Sequence, residues 1–269
     1  MPACGDRGKD GRTVMEVHPI PCSGFCRTYV VTGREGLMAV DVGSVGAARD
    51  AVRYIRTVLG RSLDALRLIV ATHFHIDHIG GVGALLRECP GTTTVLYHHR
   101  VGTYLTGERR LPEMRNWCSG LFPAFIGSCR GVRKLGHLRL ETLAGIPLPV
   151  LRGWTGLPYA AARIRFLGGR NEIRYPLGFD DWEVVETPGH TEDSVSLYHD
   201  GSGELICGDV ILNFAPDGRG RLNRFYENEG MLRRSFRLLS ETTAPVRIYP
   251  GHGNVIAGGA NALLTVVQS

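Results

Sequence analysis

Residues 72–78 read Thr72-His73-Phe74-His75-Ile76-Asp77-His78 and follow the apolar run Leu68-Ile69-Val70-Ala71. Three imidazoles and a carboxylate this close together form a dense set of metal-ligand side chains. The apolar run reads as a buried strand, which puts the ligands in the loop at its C-terminal end. Three later motifs each add one ligand-type residue: His190 in Thr187-Pro188-Gly189-His190-Thr191, Asp209 in Ile206-Cys207-Gly208-Asp209, and His252 in Tyr249-Pro250-Gly251-His252-Gly253. Each sits by a glycine, which lets the backbone turn sharply. Imidazole and carboxylate donors without thiolate suit zinc, iron or manganese. A catalytic zinc takes about three protein ligands and keeps one position open. The candidates His73, His75, Asp77, His78, His190, Asp209 and His252 exceed that need. Two divalent ions per chain fit the number, with a carboxylate between them; zinc is the first expectation, iron and manganese the alternatives. Such a pair holds a hydroxide, lowers its pKa towards neutrality and polarises the oxygen under attack.

The elements that must position these residues alternate along the chain. Strands are expected at 27–32, 37–42, 66–71 and 93–97, with helical apolar spacing over 45–59 and a helix at about 81–88. The last third reads as strands at 182–187, 194–198, 205–207 and 246–249, a helix at 230–240 and a closing helix at 260–267. Two α/β halves of this kind predict two sheets packed face to face with helices outside. Between them, residues of about 100–175 are rich in Gly, Pro and Arg and carry apolar patches such as Leu121-Phe122-Pro123-Ala124-Phe125-Ile126. A structureless stretch of that length is unusual inside a domain, so it reads as an inserted cap, a lid or an oligomer contact.

Charge sharpens the picture of that insertion. Residues 98–175 hold 13 basic and 4 acidic residues against 18 and 22 in the rest of the chain. A basic, apolar segment suits an acyl substrate with an anionic head group, or a dimer contact. Residues 1–12 read as a disordered polar tail without an apolar signal region. No stretch is long and apolar enough for a membrane span. The seven cysteines form no C-x-x-C pair, and a reducing cytoplasm is the expected compartment.

Taken in order, His73-x-His75-x-Asp77-His78, Pro188-Gly189-His190, Gly208-Asp209 and Pro250-Gly251-His252 resemble the successive motifs of the metallo-β-lactamase-fold superfamily of hydrolases. The resemblance covers about 13–99 and 176–257. It implies an α/β fold, a four-layer αββα sandwich, as a single domain over 13–269 with the cap inserted at about 100–175. It also implies that His73, His75 and His190 hold one metal, that Asp77, His78 and His252 hold the other, and that Asp209 bridges them. Asp41 matches an early Asp-x-Gly element that supports the site from behind its ligands. Asp77-His78 with Asp209 looks like the glyoxalase II, lactonase and acyl-thioesterase branches. The C-terminal helical domain of glyoxalase II, the extra arms of the family's nucleases and the flavin domain of its diiron oxidoreductases are not seen in the chain.

The function expected on these grounds is a dinuclear metal-dependent hydrolase cleaving an ester, thioester or lactone bond through a metal-bridging hydroxide. Asp77 and Asp209 are the candidate proton carriers. Asn213 and Tyr226, downstream of Asp209, are candidate substrate contacts. Phosphodiester cleavage on the same fold and β-lactam hydrolysis are the alternatives. The expected partner is a small acyl molecule; no stable nucleic-acid partner is expected, and a homodimer is an option.

Overall fold

The computed structural model describes residues 15–21, 24, 26–109, 157–169, 172–214 and 217–268. The first sheet has the order β1 (Glu16–Pro19), β2 (Tyr29–Gly33), β3 (Gly36–Val40), β4 (Leu66–Val70), β5 (Thr94–His98), β6 (Ile164–Leu167). The second runs β14 (Ile256–Ala257), β13 (Arg247–Pro250), β10 (Glu204–Gly208), β9 (Val195–His199), β8 (Trp182–Glu186), β7 (Arg174–Pro176). A small hairpin, β11 (Ile211–Leu212) with β12 (Arg221–Leu222), stands beside them.

Strand alternation sorts the apolar side chains into three layers. Tyr29, Val31, Met38, Val40, Val70 and Leu96 point from the first sheet into a shared core with Val184, Leu197, Ile206 and Tyr249 of the second. The intervening residues Val30, Leu37, Ala39, Ile69 and Val95 face outward. They pack against α1 (Val45–Thr57), the single turn α2 (Ile76–Ile79), α3 (Val82–Glu88) and α4 (His99–Leu105), using Ala48, Ala51, Ile55, Ile79, Leu85 and Val101. On the far side Val185, Tyr198, Leu205, Cys207 and Ile248 pack against Leu232, Phe236 and Leu239 of α5 (Glu229–Thr242). The result is the expected four-layer αββα sandwich. Helix starts are set by side-chain caps: Ser44 Oγ accepts from Ala47 N at 3.0 Å and Asn228 Oδ1 from Met231 N at 3.0 Å.

Parallel pairing then gathers the motifs at one end. Strands β3, β4 and β5 run parallel, so Asp41 and the 72–78 loop leave the first sheet together. In the second sheet β10 is parallel to β13, and β8 shares that direction through two antiparallel pairings with β9. The turns carrying His190, Asp209 and His252 therefore emerge at a common edge. Cross-sheet hydrogen bonds join the two edges there: Val195 N to Thr72 O at 2.8 Å, and Phe74 N to Asp193 Oδ2 at 2.8 Å.

Two sequence expectations differ from the structure. The closing helix of 260–267 is a short 3-10 turn, Ala262–Thr265, capped by Asn261. Leu264 there is exposed, because only one side of this segment has a sheet to bury against. The ends of the stretch read as an insertion also belong to the sandwich. Helix α4 follows β5 directly, and β6 adds the sixth strand by pairing Val95 with Ile164 through His98 with Leu167. The expected tail and the middle of the expected cap, with its aromatic residues Trp117, Phe122, Phe125 and Trp154, lie outside the described residues. Among the described residues, no helix is long and apolar enough to cross a membrane.

Candidate metal centre

Six of the seven expected donors fall into two groups, and the seventh reaches both. His73 Nε2, His75 Nδ1 and His190 Nε2 lie 3.0, 3.1 and 3.2 Å from one another. His78 Nε2 and His252 Nε2 are 3.3 Å apart, with Asp77 Oδ2 3.3 Å from His252 and 3.9 Å from His78. Asp209 Oδ2 is 3.5 Å from His190 Nε2 and 3.4 Å from His252 Nε2, and its Oδ1 is 3.5 Å from His78 Nε2. The fit to a cation can be tested on these spacings. Ligand atoms held at about 2.0–2.1 Å in a tetrahedron stand roughly 3.3–3.4 Å apart, close to what the histidine triple shows. Asp209 Oδ1 is also buried without a hydrogen-bond partner. A buried carboxylate oxygen facing imidazole nitrogens suits a metal ion.

Ring orientation follows from what lies behind each imidazole. Asp41 is wholly buried; its Oδ1 accepts from Thr72 N at 2.8 Å and its Oδ2 from Thr72 Oγ1 at 2.8 Å. Oδ2 is also 3.0 Å from His78 Nδ1. Because Thr72 Oγ1 gives its hydrogen to Asp41, it accepts from His73 Nδ1 at 3.1 Å. His190 Nδ1 donates to Phe225 O at 2.6 Å. In His73, His78 and His190 alike, Nδ1 is engaged from behind and Nε2 is turned to the centre.

Glycine is required at two of the turns. Gly189 has φ +141°, and a Cβ there would stand 2.2 Å from Leu232 N of α5. At Gly251 a Cβ would lie 2.2 Å from Asp209 Oδ1 and 2.8 Å from His78 Cε1. The donor turns come this close only because that atom is missing.

Electrostatics divides the two groups. Burial first, then the His190 imidazole, pulls His75 down to about 3. Burial and four neighbouring imidazoles hold His73 well below the usual histidine range. These rings are neutral, with lone pairs available to a cation. For His78 burial acts downward, but the carboxylates of Asp41, Asp209 and Asp77 outweigh it and push the ring up to about 9. Asp77 and Asp209 are likewise held below the carboxylate range by the facing histidines, against the upward push of burial. Positive charge is strongly favoured at the Asp77–His78–His252 side.

Asp77, with a third of its side chain exposed, and the half-buried His75 mark the open side. Two half-buried phenyl rings stand there: Phe225, 6.4 Å from His75 and 5.8 Å from His190, and Phe214, 6.1 Å from His252. Tyr226 lies next to Phe225 and its hydroxyl donates to Glu229 at 2.8 Å. Asn213 is buried, and Nδ2 donates to Gly218 O and Asn254 O, both at 3.1 Å. That side chain braces the His252 turn. Sequence reasoning missed Thr72 and Phe225; only Thr72, fused to the histidine cluster, carried a local signal.

Comparison with known proteins agrees with the geometry. The family model described as the metallo-beta-lactamase superfamily matches residues 23–117 and 133–252. A Bacillus subtilis (strain 168) protein named "Probable metallo-hydrolase YqjP" is 26% identical over 245 residues, covering 85% of this chain and 67% of that protein. A protein of Hahella chejuensis named hydroxyacylglutathione hydrolase is 34% identical over 239 residues, covering 88% of this chain and 65% of its own. Another curated relative is covered over 54% of its length, so the chain spans about half to two-thirds of such proteins. A metallo-beta-lactamase family protein of Thermus thermophilus superposes with a TM-score of 0.54 at 18% identity, covering 93% of this chain and 76% of that one.

Proposed function

The chain belongs to the metallo-beta-lactamase superfamily, and on that premise we propose that it is a two-metal hydrolase of an ester, thioester or lactone. One observation carries the reading: a single carboxylate oxygen, Asp209 Oδ2, stands 3.5 Å from His190 and 3.4 Å from His252. A carboxylate placed between two groups of donors is what a pair of cations needs. His73, His75 and His190 are the proposed ligands of one ion and Asp77, His78 and His252 of the other, with Asp209 shared. The nitrogen and oxygen donors favour zinc, with iron or manganese as alternatives. When bound, the ions would activate water and polarise the carbonyl under attack.

The residues around the ions have their own parts. Asp41, Thr72 and the Phe225 carbonyl keep three imidazoles aimed at the centre. Asp77, with a third of its side chain exposed, gives a departing proton its way out, with Asp209 as its inner partner. Phe214 and Phe225, at opposite ends of the donor set, supply apolar walls for an acyl group, with Tyr226 beside them. The Hahella relative, named for an acylated glutathione, supports an acyl substrate. An anionic head group has less support. Arg100 and Arg109 both pair with Glu192, at 3.1 and 3.0 Å, and so are already neutralised in part. Cys89 and Cys207 are free thiols, which suits a reducing cytoplasm.

Metal analysis of the purified protein, followed by a panel of acyl thioesters, lactones, β-lactams and phosphodiesters, tests the reading. About two ions per chain and turnover of an acyl compound are expected. Cleavage of phosphodiesters alone would overturn the substrate class.

A further inference from the structure

Behind the donor set a single buried amide joins two ligands that arrive on different strands. We propose that Asn223 is a positioning residue of the metal centre, setting the place of the carbonyl that orients His190 relative to the Asp209 turn. The proposal rests on the reading of His190 and Asp209 as metal ligands.

Asn223 follows β12 and is buried. Its Nδ2 donates to Asp209 O at 2.8 Å, and its Oδ1 accepts from Phe225 N at 2.8 Å. Its own backbone N–H donates to Val210 O at 3.1 Å. Phe225 O receives the His190 Nδ1 hydrogen at 2.6 Å. Asn223 Nδ2 also stands 3.2 Å from His190 Nδ1. A carbonyl can only accept, so the 2.6 Å contact fixes the hydrogen on Nδ1. Nδ1 cannot then accept from Nδ2, and the 3.2 Å approach is packing. Turning the amide over would set oxygen against Asp209 O and N–H against Phe225 N–H, so its orientation is fixed by its partners. The chain of contacts runs from the Asp209 carbonyl through the Asn223 amide and Phe225 to His190 Nδ1, leaving Nε2 for the centre. Two donors that meet at 3.5 Å, Asp209 Oδ2 and His190 Nε2, are thus held from behind by one side chain. Partners of this kind commonly tune metal affinity by about 10–100-fold.

The test is Zn2+ affinity by chelator competition on the full chain, with the melting temperature of the metal-free protein measured alongside. Asn223→Asp keeps the acceptor for Phe225 but faces the Asp209 carbonyl with an oxygen; Asn223→Leu removes both groups. Asn223→Ser is milder, since its hydroxyl keeps one donor. Zn2+ affinity should fall about 10–100-fold for Asp and Leu, and less for Ser. Ile55→Val, in the distant core of α1, should lower the melting temperature and leave affinity unchanged. Folded Asn223→Asp, or Asn223→Ser should the others fail to fold, binding Zn2+ as tightly as the parent would overturn the proposal. So would an equal loss in Ile55→Val. A parent chain without tight Zn2+ binding would instead overturn the metal-centre reading beneath it.

Discussion

Asp41 Oδ2 lies 3.0 Å from His78 Nδ1, and both side chains are wholly buried. Asp41 holds this position at φ +54°, a left-handed backbone that few non-glycine residues adopt. The same carboxylate takes both hydrogens of Thr72, and through Thr72 Oγ1 it steadies His73. One side chain at the end of β3 therefore sets a histidine in each donor group.

Asp41→Asn tests that relationship with little backbone cost, because Asn also tolerates the left-handed region. The amide has only one oxygen, so it cannot both accept from Thr72 N at the Oδ1 position and face Thr72 Oγ1 and His78 Nδ1 with an acceptor at the Oδ2 position. Metal affinity should fall about 10–100-fold while the protein stays folded. Asp41→Ala should in addition lose ~1–3 kcal/mol of stability by leaving the Thr72 N–H unpaired. Chelator competition and chemical denaturation measure the two effects. Unchanged affinity in Asp41→Asn would show that His78 is oriented by something else.

Gly251→Ala asks whether the turn must be bare. The added methyl meets Asp209 Oδ1 at 2.2 Å and His78 Cε1 at 2.8 Å more severely than the Gly208 backbone at 3.2 Å, so the donor side chains shift most and the backbone by a few tenths of an ångström. Displacements of about 1 Å can cost on the order of 100-fold in rate. Hydrolysis of an acyl substrate should drop by that order with a small change in the melting temperature of the metal-free protein. Retained activity would mean that Asp209 and His78 move aside without consequence.

The donor residues and their strand-end positions were legible because each motif follows an apolar run and the three later ones carry their own glycine. Asp209 and His252 could be expected at one edge once two sheets were expected face to face. Asn223 and Phe225 were not legible. Their roles come from backbone carbonyls and amides, which every residue has, and Asn223 reaches Asp209 only because β12 pairs with β11. Strand β6 was hidden for another reason. Its four residues, Ile164–Leu167, follow an Arg-rich stretch and owe their conformation to pairing with β5. The closing segment failed the opposite way: its apolar spacing suits a helix, but the packing leaves Leu264 outside.

Phe225→Ala and Phe214→Ala bear on the acyl substrate. Burying one methylene contributes about 0.8 kcal/mol, which is roughly a fourfold gain in kcat/KM per carbon while the wall is in contact. Across a series of acyl thioesters of rising chain length, the parent should show such a rise and each variant a flatter one. Metal content should hold in Phe214→Ala. In Phe225→Ala the carbonyl to His190 remains, so the effect should appear in chain-length dependence before metal loss. A flat series in the parent would remove the rings from substrate recognition.

The pair His98 and Glu186 gives a pH dependence that can be signed. His98 Nε2 is 2.9 Å from Glu186 Oε2 across the two sheets, and Tyr175 donates to Glu186 Oε1 at 2.7 Å. Burial alone would raise the Glu186 carboxyl, but the hydrogen bonds from His98 and Tyr175, with His98 and His99 as nearby charges, outweigh it and lower it. A carboxyl whose folded pKa lies below its unfolded value adds stability above the unfolded pKa, about 4.3 for glutamate. That stability is lost as pH falls through the lower folded value. Glu186→Gln should therefore be less stable than the parent at pH 6–7, by ~1.5–3 kcal/mol for hydrogen bonds to a charged group. The difference should narrow as pH falls below about 4.3. Melting curves of both proteins in chelator, which removes any metal contribution, supply the measurement. A gap that stays constant from pH 7 to pH 3 would mean that Glu186 stabilises the sheet pair through packing rather than through its charge.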